Sequence, residues 1–92
     1  MDDQNSEQKR RTAPCLLRVQ GLYTNLNRTE QRIADYVVQH PREVVGLTID
    51  ELAERVETSY ATISRFCKHV GFAVYKEFRN ALGQDVIEEP SG

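Results

Sequence analysis

Three helix starts and three helix stops crowd into residues 27–71, and that punctuation constrains the fold more than any bulk property. Asn27-Arg28-Thr29-Glu30 and Thr48-Ile49-Asp50-Glu51 each place a capping residue three positions before a glutamate that can reach back to it. Ser59 supplies a third cap. Between them, His40-Pro41 and Gly46 end helical segments, and Gly71 is suited to ending the last one in a left-handed residue. Helices this short cannot stand alone, so they must pack on one another. No alternating apolar–polar run of strand length and no Asn-Gly or Asp-Gly turn is present. The expectation is an all-α bundle of about five helices, with a homeodomain-like helix-turn-helix inside it.

The apolar residues agree. Leu16, Val19, Tyr23 and Leu26 recur at helical spacing after Pro14, predicting a first helix that reaches Leu26. That stripe fits either the core or a dimer seam. Ile33, Ala34, Val37 and Val38 form the next stripe, and Pro41 can open a short helix through Val45. Leu47 and Leu52 flank the Thr48 cap as a hydrophobic staple. Tyr75, Phe78, Leu82 and Val86 line a last helix, weakened by Gly83 in its interior. Residues 14–87 form the domain. Residues 1–13, polar and charge-balanced, read as a disordered arm, and 88–92 as a frayed tail or linker start.

With 92 residues the chain fits one small domain without room for a deep catalytic pocket. No apolar run exceeds four residues, and none follows Met1 as a secretory leader would. Cys15 and Cys67 are expected as free thiols in a reducing cytoplasm, Cys67 as a small buried apolar residue. His40 and His69 lack metal-ligand spacing to either cysteine, and no glycine-rich phosphate loop occurs. No enzyme activity, metal or cofactor is expected.

The net charge of −2 discourages indiscriminate binding to nucleic acid. Its distribution says more. Residues 59–80 carry +3, while 48–58 and 81–92 each carry −3. Around a helix over 59–70, Ile63, Phe66, Cys67 and Val70 fall on one side; Ala61, Ser64, Arg65 and Lys68 fall on the other. Ser59 and Tyr60 sit at its tip. Ala53, with Leu52, Val56, Ile63 and Phe66, suits a first helix crossed by a second. A small, hydroxylated and basic outer face fits a DNA major groove, where arginine can bond guanine bidentately. The candidate contacts are Thr58, Ser59, Tyr60, Ala61, Ser64, Arg65, Lys68 and Lys76. Thr58 and Ser59 suit phosphate; Ala61, Ser64 and Arg65 suit bases; Lys68 and Lys76 suit the backbone. The plainer reading of Arg65 and Lys68 is a solvated surface, of Tyr60 a packing residue, and of Thr62 a helix support. His69 could contact phosphate. A helical protein-interaction or dimerisation module is the alternative function.

Thr48-Ile49-Asp50-Glu51-Leu52-Ala53, the run Ser59 to Lys68 (SYATISRFCK), Gly71-Phe72 and Glu77-Phe78, preceded by Glu30, Ile33-Ala34-Asp35-Tyr36-Val37 and Pro41, resemble the N-terminal domain of RpiR-type transcriptional regulators. The resemblance covers residues 16–87. It implies a bacterial, cytoplasmic regulator, of the repressor kind, of sugar or amino-sugar metabolism. It also implies a palindromic operator in double-stranded DNA bound by a homodimer or higher oligomer, and a phosphosugar effector sensed by a C-terminal isomerase-like domain. With the chain ending at Gly92, a DNA-reading fragment of a longer regulator is expected. The sequence departs from the family at Val56-Glu57-Thr58, where alanine-glycine-valine is common. Glu57 there takes the place of a glycine in a left-handed turn.

Overall fold

The structure, a computed structural model, describes residues 14–88. The arm at 1–13 and the tail at 89–92 lie outside the described residues. The chain forms α1 (Cys15–Leu22), a 3₁₀ turn (Tyr23–Asn25), α2 (Arg28–Gln39), α3 (Pro41–Val45), α4 (Ile49–Arg55), α5 (Tyr60–His69) and α6 (Tyr75–Glu88). The described residues contain no strand. Among the described residues there are six helices, including the short one expected from Pro41 through Val45, with the proline at its first position.

Both capping boxes close. Asn27 Oδ1 accepts from the Glu30 N–H at 2.8 Å, and Glu30 Oε1 accepts from the Asn27 N–H at 3.1 Å. Thr48 and Glu51 repeat the exchange at 3.1 and 2.9 Å. α1 has no such local cap. The Leu16 N–H instead donates to Asp85 Oδ2 at 2.7 Å, so the last helix caps the first across 69 residues. An anionic side chain at a helix N-terminus is also favoured by the helix dipole.

The first helix stops earlier than its periodicity predicts. It ends at Leu22, and Leu26 is reached through the 3₁₀ turn in extended backbone. The Tyr23 carbonyl accepts from the Leu26 N–H at 3.1 Å and from Gln31 Nε2 at 3.0 Å, which holds the tighter turn. Leu26 still points inward. Val19 and Leu26 are buried, and Leu16 and Tyr23 pack half-buried on the same core, so the stripe contributes to the core.

That core runs from Cys15 to Leu82 and draws on every helix. Phe66, Phe78, Ile33, Leu52, Ile63 and Leu82 are its largest fully buried side chains. Phe78 is the hub: its ring meets Phe66 edge-on at 5.6 Å between centroids and Phe72 at 5.7 Å. Burial of each such ring stabilises by roughly 2 kcal/mol, with edge-to-face geometry adding about 1 kcal/mol. Tyr75 Oη donates to the Leu47 carbonyl at 2.7 Å and ties α6 to the entry of α4. Cys15 and Cys67 are both free and buried.

Candidate nucleic-acid interface

α4 and α5 are the two helices of the expected helix-turn-helix. Leu52, Ala53 and Val56 from α4 and its end, with Ile63, Phe66, Cys67 and Val70 from α5 and its end, are all buried. Ser59 caps α5: its Oγ accepts from the Thr62 N–H at 3.1 Å and lies 2.9 Å from Thr62 Oγ1. Thr62 therefore supports the helix start.

Both helices end in the same device. Val56 closes α4, Glu57 follows at φ 57°, and the Thr58 N–H donates back to the Ala53 carbonyl at 2.8 Å. Val70 closes α5, Gly71 follows at φ 99°, and the Phe72 N–H donates to the Cys67 carbonyl at 2.9 Å. Each is a Schellman stop around a left-handed residue. Glu57, the one non-glycine with positive φ among the described residues, occupies the turn that the sequence marks as strained.

Arginines from the rear brace these stops. Arg32 of α2 donates through Nη2 to the Val56 carbonyl and lies 4.0 Å from the Glu57 carboxylate. Arg18 of α1 donates to the Val70 carbonyl at 3.2 Å and sits over the Phe72 ring at 4.8 Å. Cations at helix C-termini complement the dipole, so each arginine adds charge complementarity to a carbonyl bond. Arg55 of α4 is held too, by Glu43 and by Tyr36 Oη at 3.2 Å. The Tyr36 hydroxyl itself donates to Glu43 at 2.5 Å, which closes a network across α2, α3 and α4.

The outward face differs. Ser59, Tyr60, Ala61, Arg65 and Lys68 are exposed, and Thr58 and Ser64 are half-buried beside them. Tyr60 is 59 % exposed, which leaves its ring available for stacking. These seven residues form one continuous surface along the turn and α5. Lys76 is exposed on a separate helix, two residues before Phe78, whose ring meets Phe66 of α5. Among the described residues, Arg65, Lys68 and Lys76 have no carboxylate within ion-pair distance and no hydrogen bond. Arg18, Arg32 and Arg55 are thus used in folding, while Arg65, Lys68 and Lys76 have no partner among the described residues and are left to solvent or a ligand.

One polar contact escapes the sequence. His69 Nδ1 lies 2.6 Å from Glu30 Oε2. Glu30 was assigned one oxygen by its capping box; the other had no visible destination, and its partner is 39 residues away. Among the described residues no cluster of three His, Cys, Asp or Glu could hold a metal ion, and no helix is long and apolar enough to cross a membrane.

The sequence profile described as helix-turn-helix domain, rpiR family, matches residues 14–89. The chain belongs to this family. The rpiR-type domain is 33 % identical over 67 residues to an uncharacterised HTH-type transcriptional regulator of Haemophilus influenzae, covering 73 % of this chain and 23 % of that one. It is 30 % identical over 71 residues to the HTH-type transcriptional regulator HexR of Pseudomonas aeruginosa, covering 77 % of this chain and 25 % of HexR. The chain therefore spans about a quarter of the length of these relatives. The N-terminal domain of ybbH from Bacillus subtilis, described as a transcriptional regulator, shares this fold with a TM-score of 0.79. That match has 24 % identity and covers 86 % of this chain and 95 % of that one.

Proposed function

We propose that this rpiR-type domain reads a specific sequence in double-stranded DNA by placing α5 in the major groove. The observation that carries the reading is the contrast between the two arginine sets. Arg18, Arg32 and Arg55 are bound to carbonyls or carboxylates, whereas Arg65 and Lys68 have no partner among the described residues and stand beside small and hydroxylated ones. Thr58 and Ser59, at the N-terminus of α5, are placed for a phosphate, and the N–H groups there favour an anion. Ala61 and Ser64 allow close approach of the backbone to base edges, and Arg65 supplies a bidentate donor pair for guanine. Tyr60 suits stacking on a sugar. Lys68 and Lys76 suit phosphates to either side of the groove.

In the whole regulator, the domain acts as one half of a homodimer on a palindromic operator, in the cytoplasm, repressing genes of sugar or amino-sugar metabolism. A phosphosugar effector binds a C-terminal domain. The family resemblance of the motifs supports this part. No residue of this chain is given an enzymatic role.

Selection of duplexes from a random pool, followed by titration of the recovered duplex at several salt concentrations, tests the reading. Enrichment of a palindromic sequence and an affinity that falls steeply with salt are expected. Absence of any enriched sequence overturns it. Salt-insensitive association with a protein would favour the interaction-module alternative.

A further inference from the structure

His69 ends α5 one helical turn beyond Arg65 and next to Lys68. At about 100° per residue it lies about 40° around the helix from Arg65, on the flank of the DNA-facing surface. Its side chain is 57 % exposed, although Nδ1 is engaged by Glu30. Glu30 itself is only 1 % exposed. Its other oxygen is fixed by the Asn27 N–H at 3.1 Å, so the carboxylate is held in place by α2. Donation of Nδ1–H to this carboxylate leaves Nε2 as the outer nitrogen. The remaining ring nitrogen, Nε2, has no partner among the described residues. A buried acid fixing the inner nitrogen while the outer one faces the ligand is how proteins orient an imidazole for use.

The surroundings are compatible with an anion. On α5 the neighbours are Arg65 and Lys68, both cationic and without a partner among the described residues. From α1, Arg18 sits on the carbonyl of Val70, the next residue. From α2, Glu30 is the paired acid and Arg28 stands exposed two residues before it. Glu77, in the first turn of α6, is engaged by the Ala73 N–H at 3.1 Å. The C-terminal end of a recognition helix is also a place where backbone contacts are made in related DNA-binding architectures.

We propose that His69 is a further phosphate contact of the recognition helix, made when its imidazole takes a second proton on Nε2 and bridges Glu30 to a DNA phosphate oxygen. The inference rests on the DNA-binding reading above. The proton comes from solvent, and no bond other than N–H is made or broken. Duplex binding by this domain therefore takes up a proton, and affinity depends on pH although arginines and lysines alone would make it nearly flat.

The test uses the full 92-residue chain and a fluorescein-labelled duplex recovered from the random pool, read by anisotropy at fixed ionic strength. The range runs from about pH 5.5 to about pH 8.5, bracketing the ordinary histidine value of about 6.5. The parent chain should lose affinity as pH rises, by up to about tenfold per unit for one linked proton, and its salt slope should fall by about one. His69→Gln should flatten the pH profile, and His69→Lys, a permanent cation, should bind tightly and flatly across the range. His40→Gln should keep the parental profile, since His40 stands at the end of α2 beside Glu43. Melting curves at both pH limits separate lost binding from lost folding, and the lysine variant keeps the test alive should the glutamine variant not fold. A flat parental profile, or a pH dependence that survives in His69→Gln or His69→Lys, overturns the proposal. Failure to bind any duplex in a salt-dependent way overturns the DNA reading itself.

Discussion

Glu30 and His69 join the first turn of α2 to the last turn of α5 through a 2.6 Å contact in which the acid is buried and the histidine is exposed. The same carboxylate closes the Asn27 capping box, so one side chain starts a helix and anchors the end of another. Glu30→Ala removes both bonds at once and leaves a buried gap. The expected loss is about 1–3 kcal/mol, or roughly 5–20 °C in Tm for a domain of this size. Glu30→Gln keeps an acceptor for Asn27 and should lose clearly less. Urea denaturation of the two variants checks the order; equal stability of Glu30→Ala and parent would show that neither bond matters to folding.

The paired stops of α4 and α5 make opposite predictions for two substitutions. Glu57 holds φ 57° at a steric penalty that glycine does not have, and its ion pair with Arg32 is long and exposed. Glu57→Gly should therefore stabilise by about 1 kcal/mol. Gly71 holds φ 99°, and a Cβ there would sit 2.8 Å from Arg18 Nη1. Gly71→Ala should destabilise by about 1–2 kcal/mol or more, because it strains the backbone and displaces the arginine from the Val70 carbonyl. Denaturant midpoints of both variants against the parent decide the matter.

Gly83 offers a simpler gain. It lies inside α6, where glycine is less favourable than alanine by about 1 kcal/mol. A Cβ at that position would meet Val45 Cγ1 at 3.8 Å, an ordinary van der Waals distance. Gly83→Ala should raise the denaturation midpoint without changing its slope; a fall would mean that α3 and α6 cannot accept the extra methyl group.

What could be read beforehand was whatever a residue does with its near neighbours. The capping boxes at Asn27 and Thr48, the Ser59 cap and the left-handed stops span three to five positions, and each follows from side-chain reach and backbone sterics. The outward face of α5 was legible because one side of a short amphipathic helix is claimed by Ile63, Phe66, Cys67 and Val70. Periodicity did not say where α1 ends, since Leu26 reaches the core equally well from extended backbone. Nor could it pair Asp85 with Leu16, Arg18 with Val70, or Glu30 with His69. Those contacts join residues 39 to 69 positions apart and exist only once the helices are docked. Arg18 and Arg32 serve helix ends.

The buried thiols imply a one-sided pH response. Burial pushes Cys15 from an ordinary 9.0 up to about 12, with the Asp85 charge adding to it, and burial pushes Cys67 up to about 12 as well. Tyr75 is raised from 10.0 to about 12, again mainly by burial. Below pH 9 the thiols keep their protons in both folded and unfolded chains, so this stability is fully present. Between pH 9 and 12 the unfolded chain ionises first, and stability is lost by up to about 1.4 kcal/mol per pH unit for each thiol. Urea denaturation across that range should show the decline, and Cys67→Ala should reduce its slope while lowering stability at neutral pH. A slope unchanged by the substitution would place the titration elsewhere.

On the proposed reading, Arg65 and Lys68 separate specificity from general affinity on a single helix. Both are exposed and unpaired among the described residues, so neither substitution disturbs the fold. Arg65 lies on the outer face with Ala61 and Ser64, where the proposed reading has its guanidinium reach base edges. Arg65→Ala should weaken binding to the selected duplex by about 1–3 kcal/mol and relax the preference at one position in each half-site. In the proposed reading Lys68 meets phosphate, which carries no sequence information. Lys68→Ala should weaken selected and random duplexes alike and lower the salt slope by about one. Repeating the pool selection with each variant reads the first effect, and salt titrations read the second. If Arg65→Ala recovers the parental sequence preference with parental affinity, α5 does not read bases through this residue, and the placement of the helix in the groove has to be redrawn.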